Sequence, residues 1–177
     1  MNTAPFDSNE AADCADMVAI QQDVEQSLAA AGIFLSGRFD DGGEDNRRVR
    51  HALYESALIS YRRAFDTGSS RHPRQNGGTW RIPKAQLAAQ IGARNDDHKE
   101  ILRLAGKCIA HRSCKDAGQV EIFDVESDRT RILYRKLENP EIMTALTEIL
   151  EGVKMLLLSL VLKQIEECKK TAAKNGG

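Results

Sequence analysis

The residues of this chain best suited to chemistry lie in one short stretch. Cys108-x-x-His111-x-x-Cys114 offers three possible metal ligands, and Lys107, Arg112 and Lys115 surround them with positive charge. A metal is the first reading to test. On a continuous helix Cys108 and Cys114 differ by about 240° around the axis, so the two thiols point apart. Structural zinc sites present paired ligands from a knuckle instead, which makes Cys108 a small core residue. The second reading uses the imidazole of His111, whose ordinary pKa lets it move a proton near neutral pH. An RNA 2′-hydroxyl attacking its own phosphate needs such a group, a nearby cation to steady the phosphorane, and no metal. The bland alternative is a histidine half-buried at the edge of a helical core, hydrogen-bonded and inert.

Other chemistries lack their residues. There is no Gly-x-Ser-x-Gly, no phosphate-binding Gly-rich loop and no dinucleotide fingerprint. Asp96-Asp97 reads as a helix start rather than an acid/base pair. No cofactor is implied. The four cysteines are scattered or at non-motif spacing, which suits reduced thiols in a cytoplasm. The apolar run Met155 to Leu162 is too short to span a bilayer, and no secretory signal is visible, so no membrane role is expected.

The elements that must position these residues are mostly helices. Met17, Ile20, Val24 and Leu28 recur at helical spacing and predict a helix over 8–31, with Gly32 as its stop. Gly37 to Asn46 reads as a loop. A second helix is expected from Asp45 to Asp66, on the stripe Val49, Leu53, Ala57, Tyr61 and Ala64. Tyr54, Tyr61 and Phe65 lie within about 100° on it and read as core aromatics, with a tyrosine hydroxyl reaching a partner at the edge. The cations Arg47, Arg48 and Arg50 crowd its start, against the helix dipole, and could face an acidic partner. After a polar loop over 68–78, Pro83 opens a short helix from Lys84 to Ile91. A third long helix runs from Asp96 to about Ala110. Gln119–Val125 and Thr130–Leu137 predict a β-hairpin. Asn139 caps the last helix and Pro140 occupies its first turn. Ile142, Leu146, Ile149, Val153, Leu156 and Leu160 form one seam of this helix, and Met143, Leu150, Leu157 and Val161 a second. Two seams mean the centre of a bundle or a share in a subunit interface.

The 177 residues fit one mainly all-α domain over 1–177, with 1–7 and 172–177 as tails. Its architecture is a helical bundle with a small β insertion. A formal charge of −1 hides an asymmetry: residues 1–46 carry −9, residues 47–115 carry +10 and residues 116–177 carry −2. The positive middle third is where an anionic partner would bind, unless the acidic first helix packs beside the second and neutralises it.

Leu53 to Phe65, with its Tyr61-Arg62-x-x-Phe65 core, followed by His98…Leu104 and Lys107-Cys-Ile-Ala-His111-Arg-Ser113, resembles the HEPN-like proteins of the abortive-infection AbiU type. The resemblance covers residues 47–115 and rests on short motifs. It implies a four-helix bundle, here with a short extra helix and a small hairpin before the last helix, often as a homodimer. It also implies work in phage defence, toxin–antitoxin pairs or RNA processing. Active members place an Arg and a His with four to six residues between them as a metal-independent ribonuclease site across the dimer. Here His111 aligns with the family His and Lys107 with its Lys, but Ala105 stands where the Arg belongs. Arg103 lies about 12 Å below His111 on a helix and leans away from it. Arg62, Arg63 or a dimer mate's Arg would have to supply the charge. The expectation is therefore a non-catalytic or weakly active bundle that binds RNA or a partner protein through Lys107, Arg112, Lys115, Arg47, Arg48 and Arg50. The alternatives are an active ribonuclease using His111 with Arg62 or Arg63, and a structural or dimerisation module with no RNA role.

Overall fold

A computed structural model describes residues 9–65, 80–106 and 138–175, together with the backbone of 118–123 and 131–136; side chains are described as far as residue 170. The fold is mainly helical. The elements are α1 (Asn9–Leu35), α2 (Glu44–Phe65), α3 (Lys84–Ile91), α4 (Asn95–Arg103) and α5 (Pro140–Asn175), with a 3-10 turn at Gly92–Arg94 joining α3 to α4. Strands β1 (Gly118–Phe123) and β2 (Arg131–Lys136) pair antiparallel, with Gly118 opposite Lys136 and Phe123 opposite Arg131.

α1 and α2 form an antiparallel pair. Ser27 donates its hydroxyl to the Ala57 carbonyl at 2.7 Å, where small residues let the two backbones approach. Phe34, near the end of α1, packs with its ring tilted 49° against Tyr54, 5.5 Å away, in the first half of α2. Helix α1 continues through Gly32, where a stop was expected, to Leu35. The reason is tertiary: Phe34 is 3% exposed, and burying it outweighs the roughly 1 kcal/mol that a mid-helix glycine costs. The chain turns at Gly37 instead, whose φ of +69° is the left-handed conformation glycine tolerates.

α5 packs along α1, and α3 and α4 pack on α5. The Asn139 side chain accepts hydrogen bonds from the backbone of Glu141 (2.9 Å) and Ile142 (3.4 Å), capping α5 as the sequence suggests. From Met143 to Val153 both seams of α5 are buried: Met143, Leu146, Ile149, Leu150 and Val153 are at most 1% exposed, and Ile142 before them is half-buried. α5 runs to Asn175, into the stretch expected to be a tail from 172.

One apolar cluster draws on all five helices, through residues such as Val24, Leu58, Ile91, Ile101 and Leu150. The short helices α3 and α4 have 8 and 9 residues, too few to persist in water alone. They depend on buried Ile91 and Ile101. After Arg103 the helix widens into a π turn over 104–106; the expected continuation to Ala110 lies outside the described residues.

Candidate functional site

The last two turns of α2 meet α4 at a corner. Tyr61 is fully buried, and its hydroxyl lies 2.6 Å from His98 Nδ1. Phe65 packs 4.7 Å from the Tyr61 ring and meets the His98 ring edge-on at 5.1 Å. Burial, and then the charge of Asp97, push the Tyr61 pKa far up, while burial lowers that of His98. Both shifts hold the proton on the phenol. The hydroxyl therefore donates to Nδ1, and the neutral imidazole carries its own proton on Nε2. This pair fixes how α4 sits on α2.

Arg62, one position along, is half-buried and reaches the end of α4. A Cβ built on Gly106 would sit 3.3 Å from Arg62 Nη1 and 3.4 Å from Cζ. The guanidinium thus occupies the space that a side chain at 106 would need. Gly106 immediately precedes the basic stretch that begins at Lys107.

Arg63 faces elsewhere. Its Nε is 3.4 Å from Asp23 on α1, a carboxylate only 4% exposed. The two arginines named as possible replacements for the motif Arg are thereby separated, and Arg62 alone is seen against Gly106. Arg103 is held by Glu100, one turn toward the N-terminus, through two bonds of 2.6 and 2.7 Å. That pairing lowers the Glu100 pKa. It also draws the Arg103 head back toward the N-terminus of α4. Ala105 is fully buried, so the position aligned with the motif Arg faces the core.

The arginines at the start of α2 form no common site with Arg62. Arg50 is 12 residues from Arg62, about 18 Å along the axis. Arg48 is exposed and pairs within its own helix, with Glu44 at 2.5 Å and Asp45 at 3.7 Å. Those two acids precede it, so the first turn of α2 is acidic and suits the dipole after all. Arg47 is exposed. Arg50 is 19% exposed and bound on three sides: by Asp40, by Glu138 at 2.6 Å, and by the Phe34 ring 4.3 Å below its Cζ. His51 lies 3.3 Å from Glu55 and 3.5 Å from Glu138. Arg50 is thus tied into the joint between α1, α2 and the start of α5.

Lys107, His111, Arg112 and Lys115 lie outside the described residues, as do Cys108 and Cys114. Cys14 and Cys168 are free thiols. Among the described residues no three His, Cys, Asp or Glu side chains gather to hold a metal, and no helix is long and apolar enough to cross a membrane. A cavity of about 400 Å³ lies between Arg94 and Asp97 on one side and the first turns of α5 on the other. Its one cation, Arg94, is already bound to Asp97 and Glu148.

Sequence reasoning used His98 only as part of a motif and gave it no role in a site. The signal was present, because His98 shares a helical stripe with the apolar Ile101 and Ala105. No family model, curated protein or solved structure matches the chain.

Proposed function

We propose that this chain is a HEPN-like four-helix bundle, with a short extra helix and a β-hairpin before α5, that binds RNA as a homodimer in a defence or toxin–antitoxin setting. In this reading it acts without catalysis or with weak ribonuclease activity. The observation that carries it is Arg62 against Gly106, next to a stretch bearing Lys107, His111, Arg112 and Lys115. Arg62 and the three cations of that stretch then meet a phosphate backbone, Arg62 with the planar fork that suits phosphate oxygens. In this reading Ala105, which is buried, leaves the charge to Arg62.

The test is RNA affinity as a function of salt. Four phosphate contacts give a slope of log affinity on log salt of about −3 for single strands, and Arg62→Ala shallows it by about 0.7. An affinity indifferent to salt, or an unchanged slope in Arg62→Ala, sinks the reading.

The same arginine favours a second reading, the active ribonuclease. Arg62 would stabilise the charge of the phosphorane while His111 moves the proton. Cleavage in EDTA that disappears in both His111→Ala and Arg62→Ala supports it. A folded wild type that binds RNA without cutting it leaves the binding reading standing alone.

A further inference from the structure

The apolar surface of α5 changes sides beyond Val153. Leu157 and Val161 stay buried, while Met155, Leu158 and Leu162 are 65%, 43% and 56% exposed. Half-buried Ile165 continues the same line. Exposed Glu151 stands at one end of it and exposed Lys169 at the other. From Glu151 to Lys169 these six residues step by 4, 3, 4, 3 and 4. That is heptad spacing on a face about 80° wide, turned some 120° from the buried side of the helix. Among the described residues nothing covers this third seam.

We propose that a second copy of this chain covers it, with α5 packed antiparallel on the partner's α5 about a two-fold axis near residue 160. The end charges choose the orientation. With Leu158 opposite the partner's Leu162, the antiparallel register also sets Met155 opposite the partner's Ile165 and Glu151 opposite the partner's Lys169. Every apolar layer is then filled, and opposite charges meet at both ends. A parallel pair sets Glu151 on the partner's Glu151 and Lys169 on the partner's Lys169, like on like. The two-fold contact is self-complementary and closes at two copies, so it predicts a dimer and no filament. This inference specifies the homodimer of the proposed function and is independent of RNA binding, which has its own readout in the salt titration.

Sedimentation equilibrium of the full chain tests it. The wild type should approach twice the 19.6 kDa chain mass as concentration rises. Leu158→Glu places a charge in the central layer and should weaken the dimer about 100-fold while leaving far-UV circular dichroism unchanged, because the side chain is exposed in the single chain. Should that variant lose its helical signal, Met155→Lys asks the same question one layer out. Lys169→Glu sets acid against acid and should weaken the dimer about tenfold. Adding Glu151→Lys to it restores opposite charges and should recover the wild-type dissociation constant. A wild type that stays at the chain mass overturns the proposal, and the open seam then serves some other partner. A dimer that survives folded Leu158→Glu places the homodimer on another face. A charge swap without recovery rejects the antiparallel register.

Discussion

Tyr61 and His98 hold one proton between them, and the cost of moving it sets two expectations. Removing the hydroxyl in Tyr61→Phe leaves His98 Nδ1 without its 2.6 Å donor. The imidazole is only half-buried and can recover some hydration, so the loss should be about 1 kcal/mol in urea unfolding rather than the upper end for a buried orphan. The pH dependence follows from the lowered pKa of His98, set by burial. In the unfolded chain this histidine takes up its proton near 6.5, and in the folded chain only at lower pH. Between those values the unfolded state binds more protons, so stability is level above about 6.5 and falls on acidification below it. Urea midpoints measured from about pH 8 down to about pH 5 should show this decline, and His98→Gln should flatten part of it. An equal decline in the variant would assign the effect to other groups. Gly106 sets a different test at the same corner. A methyl there meets only the far end of Arg62, which can swing aside. Gly106→Ala should therefore stabilise the fold by about 0.5–1 kcal/mol through reduced backbone entropy. It should also displace the Arg62 guanidinium and weaken RNA binding. Increased stability with undiminished RNA affinity would remove Arg62 from the binding surface.

At the scale of elements, what could be read from sequence was what lies within one helix. Asn139 before Pro140 announced the start of α5, because a side-chain cap and a proline without an N–H act over a few residues. Pro83 marked the start of α3 for the same reason. Contacts between helices were not legible, and they account for the differences. Gly32 reads as a stop until Phe34 is seen buried against Tyr54. Arg50 reads as one of several cations in a basic turn until its partners arrive from the α1–α2 loop and from Glu138, 88 residues away in sequence. That joint is testable as a unit. Arg50 and Glu138 are each 19% exposed, so deleting either leaves the other poorly solvated. Arg50→Ala should cost about 2–3 kcal/mol, with the lost contact to Phe34 included. A double-mutant cycle with Glu138→Ala should return a coupling of about 1–3 kcal/mol. Coupling near zero would reduce Arg50 to a surface cation and reopen its case as a partner-binding residue. Arg50→Lys should recover little, since a lysine ammonium cannot meet Asp40 and Glu138 with one planar fork while lying over a ring.

For the molecule as a whole, the charge asymmetry and the core lead in different directions. The acidic first third does pack against the basic second helix, and Arg63 with Asp23 is an ion pair across that contact. Much of the other pairing is local, however: Arg48 with Glu44, Arg94 with Asp97, Arg103 with Glu100. Exposed pairs of this kind contribute little to stability, so neutralisation does not determine how the helices assemble. The apolar cluster does. It draws on α1, α2 and α5, on α3 and α4 chiefly through Ile91 and Ile101, and on Ala105 in the π turn after α4, so no helix has a core of its own. A chain built that way should lose its helices together. Leu150 on α5 is fully buried within this cluster. Leu150→Ala leaves a cavity that close-packed neighbours fill only in part, and should cost about 2–5 kcal/mol. The form of the transition matters as much as its midpoint. With one shared core, the variant should unfold in a single step with coincident circular dichroism and tryptophan fluorescence curves, Trp80 being the only tryptophan of the chain. Trp80 precedes α3 in the chain, and its backbone N–H is held by Asp16 of α1 at 2.9 Å. Its fluorescence therefore reports the α1 side of the bundle, while the mutation acts from α5. Two separated transitions would mean that α1 and α2 fold apart from the rest, and the single shared core would have to be abandoned.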